Sequence, residues 1–193
     1  MGSGGSSARE RILASAYELF STHGVRAVGI DDVIVRAAVA KATLYRHFPS
    51  KDALVLAFLQ RREEVWTRGW LEAEASRRAG TGKDRLLAIF DLFDEWFRRD
   101  DFEGCPFVNV LLESATREGP VVRASLAQLE KIRDVLRGFA ADAGLRDVDN
   151  FARSFHILMK GAVVQAAEGD ADAAQRAQSM ARDLIDNHYS SER

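Results

Sequence analysis

Apolar residues keep a helical rhythm along almost the whole chain. Ile12, Leu13, Ala16, Leu19 and Phe20 recur at three- and four-residue steps and stop at His23-Gly24, which predicts a first helix from Ala8 to His23 with Gly24 as its C-terminal stop. Asp31, Asp32, Val33, Ile34, Ala37 and Ala38 predict a short second helix, its acids in the first turn where the helix dipole favours negative charge. Only Ala38 to Ala40 separate it from a third, Lys41 to Phe48, and two short helices on so tight a turn form a helix-turn-helix. Pro49 breaks the pattern. Ser50 then caps a helix predicted from Lys51 to about Ala79, with Val55, Leu59, Trp66, Trp70 and Ala73 inward. At about 1.5 Å per residue it is on the order of 40 Å long, enough to join two functional regions.

The rhythm resumes after Gly80-Thr81-Gly82, where Leu86, Phe90, Phe93 and Phe97 predict a fifth helix to about Arg98. Pro106 opens a short sixth helix to Ser114. Pro120 opens a seventh to Ala143, striped by Val122, Leu126, Leu129, Ile132, Leu136 and Phe139. The last two are Val148 to Ala167 and Ala171 to about Tyr189, parted by Glu168-Gly169-Asp170. With three prolines in 193 residues and few β-branched clusters, the expected fold is all-α.

Charge sharpens this picture in one place. The net charge is −2, but residues 8–60 hold seven Lys/Arg against five Asp/Glu while the rest holds twenty against twenty-four. So slight a basic excess excludes a general polyanion binder, and any nucleic-acid contact must come from placement. A single cysteine, Cys105, excludes an internal disulfide and suits a reducing cytosol, and its neighbours Glu103, Gly104 and Pro106 supply no cation to activate it. No apolar run reaches the roughly 18 residues of a membrane span, and no membrane partner is expected. The opening MGSGGSS reads as a flexible Gly/Ser arm, residues 1–7.

The third helix is the chemically dense one. Lys41, Thr43, Tyr45, Arg46 and His47 crowd onto two turns around Leu44 and Phe48, with Lys51 at the next helix start. The second helix of a helix-turn-helix enters the DNA major groove, flanking donors hold phosphates, and Lys41, Ala42, Thr43 and Arg46 are the residues best placed to reach bases. Arg9 and Arg11 near the arm read as solvated arginines, with contact to phosphate or the minor groove as the alternative. For Tyr45 and Phe48 the competing role is packing against the first helix, and for Lys51 a solvated helix end.

Residues Arg11 to Leu59, with ILASAYELFSTHGV and then TLYRHFPSKDAL, resemble the DNA-binding domain of TetR-type transcriptional repressors. The resemblance implies an N-terminal three-helix helix-turn-helix DNA-binding domain over residues 8–50, then a six-helix effector-binding and dimerisation domain over 51–193. It implies DNA contact through Lys41, Thr43, Tyr45, His47 and Lys51, and a cytoplasmic homodimer whose recognition helices read a palindromic operator about 34–36 Å apart. Three positions depart from the family pattern: Val28-Gly29 where Ser or Thr is common, Ala38 at the turn glycine, and Ala40 at the serine that opens the recognition helix. Ala in place of a hydroxyl N-cap costs roughly 1 kcal/mol, so a third helix that frays in the free protein and is completed by DNA is expected.

Beyond Arg61 the chain is aromatic-rich, and the resemblance implies a sensor for a small, largely apolar effector. Trp66, Trp70, Phe90, Phe93, Phe107, Phe155 and Met159 are the expected apolar lining, with Asn109 and Glu113, one turn apart, as polar anchors. Glu113 suggests a cationic or hydroxylated compound; ordinary core is the competing role for the aromatics, and a solvated Glu113 the competing role for the carboxylate. On the closing helices Phe151, Leu158, Ala162, Ala166, Ala177, Ala181 and Leu184 are expected at a dimer interface, since small residues let helices approach closely.

His23, His47, His156 and His188 show no metal-ligand spacing, and no phosphate loop, nucleophile elbow or catalytic carboxylate pair stands out, so neither cofactor nor enzyme activity is expected. Two other classes remain open. A helical enzyme or carrier retaining the motif would show turnover and no sequence-specific DNA affinity. A DNA-binding dimer with an apolar core and no cavity would answer to a protein partner or to nothing.

Overall fold

The computed structural model describes residues 7–114 and 118–189. Within them the chain forms nine helical runs and no strand; Leu145 and Tyr189 meet only as an isolated bridge. The helices are α1 (Ala8–His23), α2 (Ile30–Ala37), α3 (Lys41–His47), α4 (Lys51–Arg62), α5 (Ala73–Arg78), α6 (Gly82–Phe97), α7 (Pro106–Glu113), α8 (Pro120–Asp142), α9 (Val148–Ala167) and α10 (Ala173–His188). α4 and α5 belong to one run, joined by a π-helical segment, Glu63–Glu72.

The chain divides into two compact units, one of Met1–Glu63 with Pro106–Gln128, the other of Glu64–Cys105 with Leu129–Arg193. In the first, Ile12, Ala16, Val33, Leu44, Leu54, Phe58 and Leu59 are buried, and the Phe58 ring takes edge contacts from Tyr17 and Phe20, both at 5.5 Å. In the second, α10 packs on α9 and α6 through Ala173, Ala174, Ala177 and Ala181, all buried, with Leu86, Ile89, Phe90 and Phe93.

Caps explain most helix boundaries. Ser7, Ser50 and Thr81 each accept the N–H of the residue three positions on, opening α1, α4 and α6. Gly24, at φ 78°, ends α1. α10 starts at Ala173 rather than Ala171, because the Asp170 carboxylate accepts the Asp172 N–H at 3.0 Å and pairs with Arg176, holding that stretch as a turn.

The larger correction concerns the run expected as one regular helix from Lys51 to Ala79. Its middle ten residues wind wider, with hydrogen bonds spanning five residues, and the run ends at Arg78. Gly69 permits part of this: a Cβ there would lie 2.9 Å from the Glu64 carbonyl oxygen, five residues back. Apolar spacing does not distinguish the two windings, so the widening left no mark in the pattern.

Candidate nucleic-acid interface and sensor region

Ala38, Val39 and Ala40 make the turn between α2 and α3. Ala38 takes the left-handed conformation, φ 51° and ψ 53°, where glycine is normally favoured, and its N–H reaches the Val35 carbonyl at 3.2 Å. Leu44 is fully buried and Phe48 nearly so, which fixes the rotation of α3 about its axis. Lys41, Ala42, Tyr45 and Arg46 consequently share the exposed side, with Thr43 and His47 half-buried at its edges. Ala40 gives α3 no side-chain cap; the Thr43 and Leu44 N–H groups bond its carbonyl.

The cations of this region are differently engaged. The Lys41 ammonium pairs with Asp31 at 3.2 Å, both well exposed. Lys51 folds back, donating from Nζ to the Val28 carbonyl at 2.6 Å, so it ties the start of α4 to the loop before α2. The Arg9 guanidinium lies over the Phe48 ring at 5.3 Å, and Arg11 Nε donates to the Ala37 carbonyl at 3.5 Å. Both arginines are exposed, as the sequence suggested, and each also makes a contact within the helix-turn-helix.

The residues expected to line an effector site divide between the units. Trp66, Trp70, Phe90, Phe93, Phe155 and Met159 belong to the second. There Trp66 meets Trp70 at 5.3 Å and Phe93 at 6.2 Å, and Phe90 meets Phe93 at 6.0 Å and Phe155 at 5.2 Å. Trp96, Phe97 and Phe102 extend this cluster, and sequence spacing alone did not connect Phe102 to it.

Phe107, Asn109 and Glu113 instead belong to the first unit. Glu113 is half-buried, and its Oε2 accepts the Arg26 N–H at 3.0 Å, on the loop after α1. The contact needs Gly24, whose Cβ would stand 2.5 Å from Glu113 Oε1. Glu113 and Lys51 also line a cleft of about 320 Å³ in this unit, with Val25, Val55, Val110 and Val122. Nothing local to Glu113 in sequence signals a partner 87 residues away.

Among the residues expected at a dimer interface, Phe151, Ala162, Ala177 and Ala181 are buried within the protomer. Phe151 packs on Phe155 at 5.6 Å and His188 at 5.3 Å, and the alanines admit the close approach of α9 and α10. They therefore offer no side chain to a second copy. Leu158, Ala166 and Leu184 are half-buried, whereas Ile157, Val164 and Met180, which the sequence reading passed over, are exposed at 68%, 53% and 59%.

A polar cluster in the second unit also escaped the sequence. His156 is buried, and Arg133 Nη1 lies 3.5 Å from its Nδ1. Burial first, then the Lys160 and Arg133 charges, pushes the imidazole pKa down to about 3. Arg133 Nε also donates to Glu130 at 2.9 Å, and the two guanidinium bonds from Arg133 and Arg137 hold the Glu130 carboxyl down at about 2. Lys160 is half-buried; desolvation and then Arg133 lower its pKa, while Cys105 acts the other way. Cys105 therefore has a cation nearby after all, brought from α9 and invisible in its own sequence neighbourhood. Among the described residues no group of His, Cys, Asp and Glu is arranged to hold a metal ion, and no helix is long and apolar enough to cross a membrane.

A helix-turn-helix whose second helix carries its polar residues outward, followed by six helical runs, defines a class. The profile of bacterial regulatory proteins of the tetR family matches residues 12–58, and that of the tetracyclin repressor-like C-terminal domain matches residues 82–181. The chain belongs to the TetR family of transcriptional regulators, which are DNA-binding proteins and not enzymes. It is 36% identical over 92 residues to the transcriptional activator FasR of Mycolicibacterium smegmatis, covering 48% of this chain and 41% of that one. It is 27% identical over 106 residues to the transcriptional repressor NemR of Escherichia coli K12, covering 54% and 53%. The chain thus spans about half the length of these curated relatives. The crystal structure of SCO4454, a TetR-family regulator from Streptomyces coelicolor, superimposes with a TM-score of 0.85 at 28% identity over 95% of this chain and 96% of that one.

Proposed function

We propose that this protein is a dimeric repressor that reads a palindromic operator with one α3 from each protomer and is released by a small, largely apolar effector. The observation that carries the reading is the outward stripe of Lys41, Ala42, Tyr45 and Arg46, held in register by buried Leu44. Thr43 and His47 stand at the edges of that stripe, suited to phosphate or sugar oxygens. Lys51 acts through the loop it holds as much as through DNA. The N-terminal reader is assigned to residues 8–50 and the effector-binding and dimerising part to 51–193.

The dimer face is assigned to Ile157 and Val164 on α9 and Met180 on α10, with Leu158, Ala166 and Leu184 at its margin; large apolar groups left exposed on two neighbouring helices mark a surface that is covered. The effector region is assigned to the second unit, around Trp66, Trp70, Phe90, Phe93, Phe155 and Met159. The cytoplasm is the compartment where such a protein meets its operator. The relatives include both an activator and a repressor, and repression is the reading adopted.

Selection of operator sites from random DNA, followed by binding measured against salt, tests the reading. Lys41→Ala and Arg46→Ala each weaken binding, and loss of a phosphate contact lowers the salt slope by about one. Trp66→Ala is expected to blunt release by effector and leave operator affinity nearly unchanged. An absence of any selected palindrome, or loss of DNA binding by Trp66→Ala in proportion to lost stability, refutes the corresponding half.

A further inference from the structure

The two acids that open α2 do different work. Asp32 serves the helix itself: its carboxylate accepts the Gly29 N–H at 2.7 Å and closes the cap. Asp31 has no part in that cap. Its side chain, 79% exposed, reaches over to α3, where Oδ1 accepts from Lys41 Nζ at 3.2 Å, ten residues on. The outward stripe of α3 therefore carries two unlike cations. Lys41 brings a counter-ion with it, whereas Arg46, also exposed, has no partner among the described residues.

A DNA phosphate offers Lys41 only what it already has, an anion, and brings its own charge up to the Asp31 carboxylate. A base edge brings no charge. The Lys41 ammonium has three donors, and with one spent on Asp31 two remain, which is the number of neighbouring acceptors, O6 and N7, that guanine presents in the major groove. Adenine offers one acceptor beside a donor there, thymine one acceptor beside a methyl group, and cytosine a donor.

We infer that Asp31 and Lys41 act as one reading unit that selects guanine at one position of each operator half-site, Lys41 making the base contact and Asp31 positioning it. An exposed ion pair adds little to stability, but it holds the tip of a flexible four-carbon side chain, which then has less freedom to lose when the base engages. The carboxylate also lowers affinity for DNA at large, because it sets a negative charge against the backbone of every sequence alike. Both effects favour operator over random DNA. The inference rests on the reading that α3 enters the major groove, and it adds a residue outside α3 and the base that is read.

Sites selected from random DNA by the full chain and its variants test it, with affinities measured at one salt concentration for the operator, its single-base variants and a duplex of random sequence. Each half-site is expected to hold a guanine whose replacement weakens binding about ten-fold or more. Lys41→Ala abolishes that preference and Arg46→Ala keeps it. Asp31→Asn reduces it to about three-fold or less and binds the random duplex about three-fold more tightly, while Asp31→Glu, which keeps the charge, binds the random duplex as the unmodified chain does. Asp31→Ser replaces the asparagine variant if the latter does not fold. The inference is overturned if no guanine preference depends on Lys41, if Asp31→Asn keeps the preference in full, or if it leaves the random duplex bound as before. A Lys41→Ala variant weakened equally on all sequences makes Lys41 a phosphate contact, which overturns the inference and leaves α3 as the reading helix. If neither Lys41→Ala nor Arg46→Ala changes binding to any duplex, the placement of α3 in the groove fails as well.

Discussion

Gly82 opens α6 where the backbone of α8 comes closest. A Cβ on Gly82 would stand 2.3 Å from the Phe139 carbonyl oxygen, 2.5 Å from the Ala143 nitrogen and 2.9 Å from the Asp142 carbonyl carbon. All three are main-chain atoms and cannot swing aside, so Gly82→Ala forces α6 and the end of α8 apart by close to an ångström. Overpacking of this kind costs roughly 1–3 kcal/mol, and three simultaneous backbone contacts place it near the upper end. Alanine returns about 0.4–1 kcal/mol by restricting the unfolded chain, leaving a net loss of about 2 kcal/mol. For a chain of this size that lowers Tm by roughly 4–8 °C. Gly80 is the internal control, since a Cβ there meets nothing within 4 Å. Urea titration followed by circular dichroism, on both alanine variants, gives the comparison. If Gly82→Ala falls within about 0.5 kcal/mol of Gly80→Ala, the spread of an ordinary surface change, the close approach of these helices is not what glycine serves.

Three further outcomes are expected. Ala38 sits in the left-handed region at a cost of about 1 kcal/mol; Ala38→Gly recovers roughly half of that after the glycine's unfolded freedom, while β-branched Ala38→Val loses more than 1 kcal/mol, and a same-sign result in denaturation would refute the strain. His156 stays neutral down to about 3 while the unfolded imidazole protonates near 6.5, so its contribution is full above pH 6.5 and is lost as pH falls toward 3; between pH 7 and 5 this amounts to about 2 kcal/mol, and His156→Gln should show that much less acid sensitivity in paired urea titrations. Glu113→Ala removes the acceptor of the Arg26 N–H and is expected to cost about 1 kcal/mol, given the contact's exposure, with faster amide exchange at Arg26 as the local reading.

Most of the helical layout was legible because it depends on local signals. Pro106, Pro120, Ser50 and Thr81 mark helix starts by chemistry that acts within one turn, and α1 and α9 fall where apolar spacing and Gly24 place them. The outward stripe of α3 was readable for the same reason, since Leu44 and Phe48 are its apolar residues and fix the other face by elimination. What escaped depends on distant partners. Arg26 with Glu113 and Arg133 with His156 are pairings made by tertiary packing, and no spacing rule reaches across 87 or 23 residues. The alanines of α9 and α10 read as residues that let helices approach closely at a dimer interface, but composition does not say whether the neighbouring helix belongs to the same chain. Burial of Ala162, Ala177 and Ala181 inside the protomer answers that for these three.

The placement of the aromatic residues makes the molecule its own optical probe. All three tryptophans, Trp66, Trp70 and Trp96, lie in the second unit with ring centroids 5.3–6.0 Å apart, while Tyr17 and Tyr45 lie in the first. Indole emission excited at long wavelength therefore reports on one unit and is silent about the helix-turn-helix. Rings this near exchange excitation energy, so any compound that parts them changes emission intensity and polarisation together. Events at α3 must be followed through Tyr45, whereas a label on the single thiol at Cys105 sits on the same unit as the indoles and gives a short-range donor and acceptor pair there without any substitution in the chain.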